Sequence, residues 1–132
     1  METIYFYATY EAEVCDIVNS FKCNTASGIV NFSPRIIKHI IKEISKPLCY
    51  IFNLSLSKGI FPDKLKVARV TPVFKSGEKC EISNYRPISV LSCFSKILEK
   101  NVYKRTVGFL DRNNILGNYQ YGFRSKYSTS WL

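Results

Sequence analysis

The stretch KLKVARVTPVFKSGEKCEISNYRPISV, residues 64–90, constrains the fold most, because it favours extended arms over a helix while the segments on both sides of it read as helices. Pro72 lacks a backbone donor and has a fixed φ, which bars it from a helix interior. Val67, Val70 and Val73 are β-branched and favour a pleated backbone, and Ser76-Gly77-Glu78 supplies turn chemistry between the arms. The stretch therefore predicts a β-hairpin whose returning arm is RPISV, residues 86–90. With a side-chain period of two, Arg69, Thr71, Val73 and Lys75 share one face of the first arm and Val70, Pro72 and Phe74 the other. One face is then polar and basic, the other apolar. Such a hairpin is either an ordinary half-buried surface element with solvated Lys and Arg, or one that turns its cations toward an anionic ligand.

The flanks read as helices. Val14, Ile17, Val18 and Phe21 recur at helical spacing between Glu11 and Lys22, with acids in the first turns. Residues 24–28 form a small-polar break, and Ser33-Pro34 reads as an N-cap followed by proline at the first helical position. The next helix puts Ile36, Ile37, Ile40, Ile41 and Ile44 on one face. Ser45-Lys46-Pro47 is expected to end it, with a second helix over residues 47–58 burying Leu48, Ile51, Phe52 and Leu54 before Gly59 closes it in a left-handed cap. Ser92 can cap a long helix from Cys93 to about Arg112, buried through Phe94, Ile97, Leu98, Val102, Phe109 and Leu110. Its other face carries Lys96, Lys100 and Lys104 at i, i+4 and i+8, a like-charge ladder that an anion would relieve. Asn113-Asn114 ends that helix, and a loop rich in glycine, aromatic and basic residues follows. The aromatic residues 1–10 show no clear period and are assigned no structure.

The order of helices, hairpin and long helix lacks the strand–helix alternation of a doubly wound sheet and predicts an α+β fold, mostly helical with one hairpin. The charge supports a polyanionic partner. Of the net +9, residues 1–32 contribute −3, with Lys22 set against four carboxylates, so residues 33–132 carry +12. A field of this sign favours nucleic acid, with an anionic membrane surface or plain solubility as alternatives. The five cysteines are widely spaced, odd in number and without a Cys-x-x-Cys pair, which points to reduced intracellular thiols and away from zinc or a disulfide framework. His39 has no ligand or nucleophile at helical spacing and reads as a surface or packed histidine. No run of about 18 apolar residues exists and the start lacks a basic, then apolar, leader, so neither a membrane span nor secretion is expected.

Three stretches, FPDKLKVARVTPVFKSGEK, NYRPISVLSCFSKILEK and NILGNYQYGFRSKYSTS, taken in this order around one long helix, resemble the amino-terminal part of the reverse transcriptase of non-LTR (LINE-type, jockey-like) retrotransposons. The resemblance runs from about residue 11 to the end. It implies the fingers, and the first edge of the palm, of a right-hand polymerase, over residues 11–132. It further implies that Lys75 and Arg86 lie near the triphosphate of the incoming nucleotide or the adjacent template, that Arg69, Gln120, Gly122, Phe123 and Arg124 contact the template or pack the fingers, and that the basic face of Lys96, Lys100 and Lys104 is available to nucleic acid. The implied partners are an RNA or DNA template-primer and a deoxynucleoside triphosphate. One departure stands in the early loop, where relatives carry an aspartate two residues after the glycine and this chain has Val30.

The complete family enzyme uses two magnesium ions held by aspartates, about 3.5–4 Å apart. The family's catalytic aspartates fall beyond Leu132, and Asp16, Asp63 and Asp111 match no catalytic motif. The expectation is therefore a chain truncated before the palm, with no catalytic residue, metal site or cofactor of its own, inactive alone unless a separate palm-bearing polypeptide completes it. The alternatives are a non-enzymatic basic nucleic-acid-binding module and a helical protein-interaction fragment.

Overall fold

Ser33 and Pro34 start the longest helix. In the computed structural model, which describes residues 4–24, 26–117 and 120, the Ser33 hydroxyl accepts from the Ile36 amide at 3.4 Å. Pro34 takes the first turn, where a missing N–H leaves nothing unpaired. Helix α2 (Pro34–Lys58) runs 25 residues to Gly59, whose φ of +64° makes a left-handed cap that glycine adopts without a Cβ penalty.

The expected break at Ser45-Lys46-Pro47 does not occur, and α2 is continuous through Pro47. Proline withholds an N–H from the Glu43 carbonyl, but Glu43 and Pro47 both face solvent, so water can satisfy that oxygen. On the packed side Ser45, Cys49 and Phe52 are buried and hold the two halves in line. The apolar stripe is also narrower than its sequence spacing suggests. Ile37 and Ile41 are buried and Ile44 and Leu48 pack beside them, whereas Ile36, Ile40, Ile51 and Leu54 are exposed.

Helix α1 (Glu11–Asn19) buries Val14, Ile17 and Val18 against α2, and helix α4 (Cys93–Arg112) brings Ile97 and Leu98 to the same core. Each such side chain removed from water contributes about 1.5–3 kcal/mol. Ser92 caps α4, its hydroxyl accepting from the Ser95 amide at 3.1 Å. Ser95 in turn donates to the Leu65 carbonyl at 2.7 Å, fixing the short helix α3 (Asp63–Lys66) on α4. Phe94 and Val102 are half-buried, and Phe109 and Leu110 are only partly covered. The buried face of α4 also holds two polar residues, Asn101 and Arg105.

Arg105 explains residues 4–10, to which the sequence assigns nothing. They form neither helix nor strand, yet Thr9 is buried. The Thr9 amide donates to Asn53 Oδ1 at 2.6 Å, its carbonyl accepts from Asn53 Nδ2 and the Cys49 thiol, and its hydroxyl donates to Asn101 Oδ1 at 2.9 Å. Arg105, 2% exposed, donates to the carbonyls of Tyr7 at 2.9 Å and Ala8 at 3.2 Å. The segment is a strap laid across α2 and α4.

The hairpin pairs β1 (Ala68–Phe74) with β2 (Tyr85–Leu91) antiparallel, from Ala68 opposite Leu91 to Phe74 opposite Tyr85. It is the one sheet among the described residues. The arms are joined by residues 75–84, a longer connection than the Ser-Gly-Glu turn alone. Gly77 lies at φ +93°, Ile82–Asn84 makes one 3₁₀ turn, and Asn84 Nδ2 donates to the Glu78 carbonyl at 2.9 Å. The half-buried hairpin is corrected: every residue of β1 after Ala68 is exposed on both faces, Val70 at 60%. On its apolar face Val70 and Pro72 are exposed, while Phe74 at the tip packs against Tyr85.

Candidate nucleic-acid interface

Residues directly opposite in an antiparallel pair project from the same face, so the register sorts the hairpin's charges. Arg69 stands opposite Val90 and Val73 opposite Arg86. Arg69, Val73 and Arg86 therefore share a face, joined by Lys75, whose amide extends the ladder to the Asn84 carbonyl at 2.8 Å. Lys75 and Arg86 are diagonal neighbours, roughly 7–8 Å apart at the backbone. Arg69 lies four residues down the arm from Val73, about 13 Å toward the hairpin base. The structure thus brings Lys75 and Arg86 together and sets Arg69 apart.

Lys75 and Arg86 are exposed, and their side chains have no partner among the described residues. Arg69 is held, its Nη2 donating to the Ser27 carbonyl at 3.2 Å. The opposite face presents Val70, Pro72 and Pro87, with Phe74 and Tyr85 edge to face at 5.5 Å between centroids. Tyr85 Oη donates to the Lys79 carbonyl at 2.9 Å, and Lys79 Nζ sits 6.0 Å from the Phe74 ring, so the connection folds back onto the tip.

The ladder on α4 is not a uniformly solvated face. Lys96 Nζ donates to the Ala26 carbonyl at 3.0 Å, and Lys100 Nζ donates to Ser20 Oγ at 3.0 Å while lying 4.8 Å from the Phe21 ring centroid. These neutral acceptors between α1 and α2 offset the repulsion that an i, i+4, i+8 series incurs. Lys104 has no hydrogen bond or ion pair among the described residues. Tyr103, which sequence reasoning passed over, is 59% exposed beside it. An aromatic flanked by Lys100 and Lys104 was the available signal. Burial holds the Glu99 carboxyl above its ordinary range, with Lys96 pulling partly the other way.

Gly28 ties these parts together. A Cβ there would meet the Ser92 nitrogen at 2.6 Å and the Leu91 carbonyl carbon at 2.7 Å, so only glycine lets the loop lie on the β2–α4 junction. Val30, in place of the aspartate expected from the family, is exposed in the following turn. The Gln120 amide donates to the Gly117 carbonyl at 3.1 Å. Gly122, Phe123 and Arg124 lie outside the described residues. Asp63 pairs with Lys66 at 2.7 Å, and this hydrogen bond and charge hold its carboxyl below the usual range. Among the described residues no three His, Cys, Asp or Glu side chains converge as a metal site. No described helix is long and apolar enough to cross a membrane.

No protein-family model matches the chain. Among curated proteins it is similar to the probable RNA-directed DNA polymerase from transposon BS of Drosophila melanogaster, with 30% identity over 118 residues, 89% of this chain and 13% of the relative. The RNA-directed DNA polymerase from mobile element jockey of the same species is 28% identical, and the probable RNA-directed DNA polymerase from transposon X-element 26% identical, each over the same shares. The chain therefore spans about an eighth of the length of the curated relatives it matches.

Proposed function

The chain is a relative of the RNA-directed DNA polymerases of non-LTR retrotransposons, and from that premise we propose that it is the phosphate-holding fingers part of such an enzyme. In this reading Lys75 and Arg86 grip the triphosphate of an incoming deoxynucleotide or the neighbouring template phosphate. Arginine offers a planar fork that binds phosphate oxygens two at a time, and lysine adds a compact charge beside it. Arg69 and the segment from Gln120 through Gly122, Phe123 and Arg124 contact the template strand. The observation that carries this is that Lys75 and Arg86 share one exposed hairpin face and have no partner among the described residues.

Template-directed polymerisation also needs carboxylates that clamp two metal ions. In this reading the chain contributes binding, and the reacting centre is supplied by other residues or a palm-bearing polypeptide. The exposed apolar side chains of Val70, Pro72 and Val73 favour such a protein partner as a second reading.

The test is fluorescence anisotropy on a primed RNA template. Exchanging both Lys75 and Arg86 for alanine should weaken binding evenly across sequences and flatten the salt dependence by about 0.7 for each phosphate that is no longer neutralised. Unchanged affinity and slope would overturn the reading. Incubation of the chain alone with primed RNA, deoxynucleotides and magnesium should yield no extension, and clear incorporation would show that it polymerises unaided.

A further inference from the structure

The hairpin's basic face and the α4 ladder meet at one loop. Arg69 donates to the Ser27 carbonyl and Lys96 to the Ala26 carbonyl, consecutive acceptors in the segment that Gly28 seats on the β2–α4 junction. From Lys96 the cations continue through Lys100 to Lys104, about 12 Å along the helix axis. Beside this line, between α1 and α4, lie two open cavities of about 460 and 270 Å³ that share Ser20, Lys100 and Tyr103. They are one groove, narrowed where Lys100 reaches across to Ser20. Phe21 lines one end and Tyr103 borders both parts. Four lysines, at 22, 96, 100 and 104, line it against two carboxylates, Asp16 and Glu99.

Mostly apolar walls under a cationic rim suit a ligand that is anionic along its length and flat and apolar at intervals. An acidic peptide meets the charge but leaves the aromatic walls unused. A duplex hides its base faces. An unpaired nucleic-acid strand uses both, its phosphates following the lysines and a base stacking on an exposed ring. Lys100 need lose no strong partner on engagement, since among the described residues it is held by a neutral hydroxyl and the Phe21 ring.

We propose that the α1–α4 groove is a second, sequence-tolerant site for a single nucleic-acid strand, with Tyr103 as the stacking platform and Lys100 and Lys104 on the backbone, continuing the track that starts at the hairpin. The proposal rests on the nucleic-acid reading above but not on Lys75 or Arg86. Phosphate contact and stacking are common to RNA and DNA.

The test uses the full chain and short labelled oligonucleotides of mixed sequence, as single-stranded RNA, single-stranded DNA and duplex. Tyr103→Ala should weaken both single strands about five-fold or more and leave the duplex unchanged, Tyr103→Phe should bind as the parent, and Lys104→Ala should lower the salt slope by about 0.7. The weakening by Tyr103→Ala should persist when Lys75 and Arg86 are already alanine. A weakening confined to RNA would mean that the strand is recognised as RNA, through its 2′-hydroxyl, and would keep the site while narrowing its ligand. Equal binding by Tyr103→Ala and the parent, or weakening of the duplex to the same extent, overturns the groove while leaving the hairpin reading to its own variants. Displacement of the RNA by polyglutamate as effective as by unlabelled RNA overturns it in favour of an acidic protein partner. Because Tyr103 is largely exposed, the thermal transition of its variants should match the parent's, which separates impaired binding from impaired folding.

Discussion

Arg105 and Glu13 meet in a two-pronged ion pair, Nη1 at 3.0 Å from Oε1 and Nη2 at 3.0 Å from Oε2, and the arginine side chain is almost wholly buried. The fork joins α4 to α1, while the same guanidinium lies 4.3 Å from the Tyr7 ring centroid and holds the strap's carbonyls. With every donor directed at an acceptor, the cost of taking the charge out of water is met by charge-assisted hydrogen bonds.

Removing one partner leaves the other without compensation. Arg105→Ala should lower stability by about 3–5 kcal/mol in urea unfolding. Adding Glu13→Gln to that variant should cost little more, because the carboxylate has already lost its partner. Additive losses from the two substitutions would show that the pair is not coupled.

Pro47 makes the opposite prediction. Alanine at this exposed position restores an N–H to the Glu43 carbonyl within an already continuous helix. Pro47→Ala should raise stability by about 1–3 kcal/mol, the range left after the stiffer unfolded chain of the parent is taken into account. A lower midpoint would mean that the ring itself packs usefully.

At Gly28 the neighbours of an added methyl are backbone atoms of Leu91 and Ser92 that cannot rotate away. Gly28→Ala should cost about 1–3 kcal/mol as the loop lifts from the junction. It should also reduce nucleic-acid affinity through Arg69 and Lys96, which that loop anchors. Parent-like stability would contradict the close packing.

The thiols give a pH dependence. Burial, and then the Glu11 charge, push the Cys49 thiol up, and burial pushes Cys93 up despite Lys96. As pH rises past the ordinary thiol value the unfolded chain loses protons that the folded one retains. Stability should therefore fall from that value toward the raised ones and be unaffected by these groups at lower pH. Cys49→Ala with Cys93→Ala should flatten the alkaline limb of a denaturation series. Iodoacetamide should modify exposed Cys23 and Cys80 first, and Cys49 and Cys93 only on unfolding.

The caps were legible in the sequence because a cap is a local event. Ser33 with Pro34, Gly59 and Ser92 each act within a turn of their own position. The hairpin was legible for the same reason, and its shared basic face followed once the register placed Arg86 opposite Val73. The continuity of α2 was not, because the penalty at Pro47 is local while the packing of Cys49 and Phe52 that outweighs it is tertiary. The strap was not legible either, since its acceptors are the carbonyls of Tyr7, Ala8 and Thr9, which no side-chain pattern records. Arg105 carries no signal of its own in the sequence, and only the fold shows that Glu13, 92 positions earlier, is its partner.

The span between those two residues bears on how the protein is made. Glu13 and Arg105 are 92 positions apart, so at a synthesis rate of about 5–20 residues per second the carboxylate emerges roughly 5–20 s before its counter-ion. During that interval α1 and α2 can already pair and Thr9 can already meet Asn53 and Cys49, but the carbonyls of Tyr7 and Ala8 and the Glu13 carboxylate still lack their arginine. Helix α4 thus carries the residue that completes the packing of the chain's first segment, 92 positions after the carboxylate it pairs with.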